Sequence, residues 1–190
     1  MKKAWFVIIL FIILLSTSPC GAWIYYSDGP YEGRVLDINT GEPIEGAVVV
    51  GEWRVDYYGG AAGPLSQFCD AQETLTDKGG HFKIPRASCF RFWPFAAMGP
   101  AKFIVFKPGF LGYPPIDFKP SHFTGKEFDQ KHNIIIKLGQ PASRKERELT
   151  LGHAGLISER ADEKLPILLR LQNEELKNLG IEGEYRPFKQ

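Results

Sequence analysis

YEGRVLDINTGEPIEGAVVV, residues 31–50, is the stretch whose reading decides the fold. Two short apolar runs flank a turn crowded with Asp37, Asn39, Gly41 and Pro43. Asp and Asn side chains can bond backbone amides two residues on, and Gly41 can take positive φ at no steric cost. Pro43 then fixes the chain entering the second run. Gly46 and Ala47 remove bulk where that run begins against a neighbour. The pattern predicts strands over Tyr31–Asp37 and Ala47–Trp53 with a tight turn between them. Asp37 and Asn39 could suggest calcium, but two oxygens on one turn fall short of the roughly 6–8 ligands calcium takes.

More short strands follow at Thr74–Thr76, His81–Ile84, Ala101–Phe106 and Asn133–Leu138. The turn Asp77, Lys78, Gly79, Gly80 joins the first two of these as a glycine-ended hairpin. β-branched and aromatic residues dominate the runs, while Gly, Pro, Asp and Asn punctuate them. No run at helical period interrupts them. Many short strands without crossover helices predict a mainly β fold, an antiparallel sandwich spanning residues 23–138.

GRVLDINTGEPIEGAVV, followed by TLTDKGGHFKIP and FIVFKPGF, resembles the carboxypeptidase regulatory-like domain. The matching positions are Gly33, Asp37, Thr40, Gly41, Pro43, Gly46, Ala47, Asp77, Gly80 and Phe82. The resemblance implies a transthyretin-like (prealbumin-like) antiparallel β-sandwich of about seven strands. In zinc carboxypeptidases this module is an accessory to the catalytic domain, and bacteria use it widely in exported proteins. It therefore implies a folding or binding module rather than an active site. The chain departs from the family pattern at Tyr57–Ala71 and Arg86–Pro100, where longer inserts are expected.

The first residues speak to compartment. Lys2 and Lys3 precede an unbroken apolar run, Ala4–Leu15, and then the short polar stretch Ser16–Ala22. That order predicts a secretory signal peptide over residues 1–22. The run is short for a spanning helix, which needs about 20 apolar residues. Cleavage after Ala22 is the first reading, because Cys20 and Ala22 put small side chains where the peptidase reads. A lipidated Cys20 and an uncleaved anchor reaching through Trp23 and Ile24 are the alternatives. Of the three cysteines, Cys20, Cys69 and Cys89, the last two form a candidate disulfide, as suits an oxidising medium. Two buried free thiols are the alternative.

Charge excludes one class of partner. The chain has 23 basic and 22 acidic side chains. Without Lys2 and Lys3 the balance is 21 against 22, a net charge of −1. No field of one sign steers such a protein to nucleic acid.

Catalytic motifs are missing from the sequence. None of His81, His122, His132 and His153 stands in an HExxH pattern, and there is no GxSxG. Cys69, His81 and Cys89 match no compact zinc spacing, so no metal site is expected. Gly59, Gly60 and Gly63 lack the Lys-Ser or Lys-Thr of a phosphate loop. No cofactor and no catalytic residue is assigned.

The densest aromatic segment is Cys89–Phe95, CFRFWPF, with four aromatics in seven residues. Phe92, Trp93 and Phe95, with Tyr57 and Tyr58 from the other insert, are the candidate binding residues, because aromatics anchor interfaces. Packing over one end of the sandwich is the competing role. A Cys69–Cys89 bond would join the two inserts into one lobe.

Residues 139–190 change character. Gln140–Glu148 is charged and reads as a linker. Pro166 suits the first turn of a helix running to about Leu179, and Gly180 suits its end. Leu165, Leu168, Leu169, Leu176 and Leu179 fall near one face, which suggests docking on the sandwich, since so short a helix is marginal alone, with a partner-binding helix as the alternative. Together these features describe an exported, non-catalytic binding or structural module, periplasmic or at the cell envelope. Its expected partner is a protein or glycan, and it meets the membrane through its N-terminal segment or a lipidated Cys20. A small hydrolase or carrier on a transthyretin-like scaffold is the alternative.

Overall fold

Val48, Val49 and Val50 are all fully buried. Successive strand residues point to opposite faces, so this is possible only where both faces of the strand are covered. The strand is β3 (Val48–Tyr57). It is the centre of a computed structural model that describes residues 25–57, 65–91, 96–114, 133–154 and 162–186.

β3 pairs antiparallel with β4 (Leu65–Leu75) on one side. On its other side it pairs with β7 (Ala96–Met98) and β8 (Lys102–Phe106). A second sheet has the order β5-β2-β9, from β5 (His81–Ile84), β2 (Tyr31–Asp37) and β9 (Ile134–Leu138). A two-stranded ribbon joins β1 (Tyr25–Asp28) to β6 (Ala87–Phe90). Val49, Trp53, Val55, Phe103 and Val105 of the first sheet meet Val35, Phe82, Ile84, Ile134 and Ile136 of the second in one core. The result is sandwich-like and mainly β.

The other face of the first sheet is closed by helices. Val48, Val50, Ala71 and Phe106 pack with Leu151 of α1 (Arg144–Ala154) and with Leu168, Leu171, Leu176 and Leu179 of α2 (Pro166–Leu179). Arg147 on α1 grips the buried Glu175 on α2 with two bonds, at 2.6 and 2.9 Å. The helix ends are also tied down. Leu165, at the N-cap of α2, offers no side-chain bond. Glu73 of β4 supplies it instead, its two oxygens accepting the amides of Ile167 and Leu168 at 2.7 and 2.9 Å. At the other end, the Gly180 and Ile181 amides bond the Lys177 and Leu176 carbonyls.

Several expectations need correction. The described residues contain nine strands rather than about seven. β9 lies parallel to β2, so the sandwich is not purely antiparallel. The two are far apart in sequence, so no hairpin turn dictates their direction. Thr74 and Leu75 are the tail of the eleven-residue β4, which Thr76 follows, and Tyr57 and Leu65–Ala71 belong to the long β3–β4 pair. Arg144–Ala154 is a helix, not linker. Ser143 accepts the Glu146 amide, and Glu146 reaches back to the Ala142 amide, a reciprocal cap at the start of α1. Gly46 is needed for its backbone (φ 71) and has open space around it, so bulk is not the reason for glycine there. Gly33 is the position where bulk matters: a Cβ there would lie 2.2 Å from the Ile134 carbonyl oxygen.

Asp37 forms the expected turn, its Oδ1 accepting the Asn39 and Thr40 amides at 2.7 and 3.2 Å. Gln140 occupies Oδ2 at 3.3 Å.

Leu168→Ala should remove about 3 kcal/mol of stability, measured by urea unfolding, because a buried methylene cluster leaves a cavity. An unchanged midpoint would show that α2 does not depend on the sheet. The pH profile should have two limbs. The Asn39 and His81 amides are the main groups holding Asp37 and Asp77 below the ordinary 3.8. A lowered carboxylate adds stability that is lost as pH falls through its folded value. Glu73 is raised above the ordinary 4.5, chiefly by burial. Its neutral form favours the fold, so stability rises as pH falls through its folded value toward 4.5. The denaturation midpoint should therefore climb on mild acidification and drop below 3.8. Glu73→Gln should flatten the first limb, and Asp37→Asn with Asp77→Asn the second.

Candidate functional site

Cys69 sits where β4 carries one residue more than β3. The register shifts so that Asp70 faces Trp53 and Phe68 faces Arg54, leaving Cys69 without a partner on β3. A bulge of this kind re-aims a side chain. Here it accompanies a disulfide from Cys69 to Cys89 on β6, with a Cα–Cα distance of 5.7 Å. The bond ties the β1–β6 ribbon to the first sheet.

Further hydrogen bonds hold the ribbon. Asp28, at the end of β1, accepts the Tyr31 hydroxyl at 2.5 Å and the Trp53 indole N–H at 2.9 Å. Tyr31 in turn packs edge-on against Phe103 at 5.1 Å. Burial and the neighbouring Asp28 both push the Tyr31 hydroxyl well above its ordinary value, so it stays a donor. Tyr26 donates to the Ala96 carbonyl on β7 at 3.1 Å. Arg91, just past β6, donates to the Phe68 and Phe90 carbonyls, both at 2.8 Å. Phe68 and Cys69 of β4 thus meet Cys89 and Arg91 at the end of β6.

Of the five candidate binding residues, Tyr57 alone lies among the described residues. Tyr57 ends β3, half-buried against the core, opposite both Leu65 and Ala96. Tyr58, Phe92, Trp93 and Phe95 lie outside the described residues. Sequence reasoning missed Tyr25 and left Phe90 unassigned. These two sit directly opposite each other on β1 and β6. They are 57% and 66% exposed, while Tyr26 between them and the core is buried. Leu65, at the start of β4 opposite Tyr57, is also exposed. The Tyr25-Tyr26 doublet carried the missing signal, since the period of two forces one ring inward and the other outward.

A second feature is an open groove of about 490 Å³ on the outer face of the second sheet. Glu32, Arg34, Asp77, His81, Lys83 and Ile135 line it. Its charges are engaged locally. Lys83 pairs with Glu32 at 2.5 Å, His81 with Asp77 at 3.3 Å, and Arg34 donates to the Gly79 carbonyl at 3.1 Å. With Cys69 and Cys89 bonded to each other, the grouping of both with His81 as metal ligands is not formed. Among the described residues no cluster of three or more His, Cys, Asp or Glu side chains could hold a metal ion. Among the same residues no helix is long and apolar enough to cross a membrane.

No protein-family model matches this chain, and no curated protein or solved structure matches it significantly.

The disulfide restricts the unfolded chain and should contribute on the order of 3 kcal/mol. Cys69→Ala with Cys89→Ala should lower the urea-unfolding free energy by that amount and leave the α2 face intact. A double variant as stable as the parent would show that the hydrogen bonds alone hold the ribbon.

Proposed function

We propose that this protein is an exported, non-catalytic binding or structural module of the cell envelope, built on a carboxypeptidase regulatory-like, transthyretin-like sandwich. The disulfide supports export, because such bonds persist in oxidising compartments. The Asp37 turn and the close approach at Gly33 fall on positions that carry the family resemblance. The observation that carries the binding reading is the Tyr25–Phe90 pair. Two large rings stand exposed side by side on a ribbon fixed by a covalent bond and by part-buried hydrogen bonds. Rigidly presented aromatic surface binds at low entropic cost.

The alternative, a hydrolase or carrier, calls for polar groups converging on a cleft. The groove on the second sheet has charged groups, but they are spent on one another and on backbone, which favours the binding reading.

A photo-crosslinking phenylalanine analogue placed at Phe90 should give covalent adducts with envelope material in exporting cells. The same group at Leu149, exposed on α1, serves as the control. Adducts concentrated at position 90 support the proposal. Equal yields at both positions, or none at either, would reject it.

A further inference from the structure

We infer that the Tyr25–Phe90 face seats in the headgroup region of a lipid bilayer. This deepens the binding reading above by naming what that surface meets.

The ribbon's outward face is graded. Its first cross-strand pair is Tyr25 with Phe90, and the next pair on the same face is Ser27 with Ser88. All four side chains are exposed. Large rings therefore occupy the end at which the chain enters β1, and small hydroxyls come one step further in. Aromatic side chains gather at membrane–water interfaces, where an apolar body is buried and a polar tip stays wet. Tyr25 has that build, and Phe90 supplies the purely apolar partner. Arg91 follows directly. Its guanidinium uses two of its five N–H groups on the Phe90 and Phe68 carbonyls, leaving others for phosphate oxygens.

Chain continuity favours lipid over a protein or glycan. The apolar run Ala4–Leu15 ends ten residues before Tyr25. Ser16–Ile24, nine residues, can span at most roughly 30 Å when extended. If the run stays in the membrane, β1 is held within that reach of it. If Cys20 is lipidated, the acyl chains lie five residues from Tyr25. If cleavage follows Ala22, Trp23 and Ile24 remain as apolar residues next to Tyr25. Each fate of the leader leaves apolar chain within ten residues of the same exposed pair.

The test is hydroxyl-radical labelling of the full chain as expressed, on vesicles of phosphatidylethanolamine and phosphatidylglycerol free of protein and glycan. Ile135 and Leu149 are exposed elsewhere on the molecule and act as internal controls. Oxidation of Tyr25 and Phe90 should fall roughly tenfold on adding vesicles, as expected for side chains leaving water for an interface, while the controls stay unchanged. Unchanged labelling of Tyr25 and Phe90 would overturn the inference. Protection on whole envelope vesicles but not on pure lipid would also overturn it, and would leave the binding reading standing with a protein or glycan partner. Protection on neither would remove both.

Discussion

Strand β3 carries apolar side chains on both faces, and the other elements are arranged to hide them. Val49, Trp53 and Val55 face the second sheet, while Val48 and Val50 face the helices. Each fully buried side chain of this size is worth roughly 1.5–3 kcal/mol over its exposed state. Neither face could be left bare. A sandwich alone would cover one, so the C-terminal helices are part of the domain's core and not an appendage. This explains why α2 is tied in so specifically. Glu73 reaches from the sheet to cap a helix that lacks a cap of its own. Arg147 and Glu175 then lock the two helices together.

The same strand organises the end where binding is proposed. β3 and β4 pair along their full lengths, and the bulge at Cys69 accompanies the covalent link to β6. Trp53, buried at the centre of β3, donates to Asp28 and so reaches the β1–β6 ribbon directly. The rings of Tyr25 and Phe90 are thus presented by a rigid base, although they touch little themselves. A surface of that kind costs little ordering entropy when it meets a partner or an interface. The groove on the second sheet offers the opposite case. Its charges satisfy one another and leave the face solvated.

Local sequence patterns were legible where the physics is local. The Asp37 turn, the β5 hairpin with its Asp77 turn, and α2 from Pro166 to Leu179 all follow from turn and capping chemistry within a few residues. The helix α1 was legible too, through Ser143 and Glu146, but its alternating charges suggested a linker. Those charges serve the helix instead: Arg144 pairs with Glu148, and Arg147 with Glu175. The short strands β1, β6 and β7 were not legible. The equally short β5 is marked by the Asp77 turn before it, but β1, β6 and β7 form by pairing with segments distant in sequence.

The sequence by itself determined the segments that form β2, β3, β5, β8 and β9, the Asp37 and Asp77 turns, the extent of α2 and the two cysteines able to bond. These depend on side-chain shape and backbone preference acting over a few residues. Only the tertiary structure decided that β9 runs parallel to β2, that the helices complete the core, and that Tyr25 and Phe90 stand together in the open. Those outcomes depend on which distant segments bury each other's apolar faces, a choice made by the packed whole and carried by no single stretch of chain.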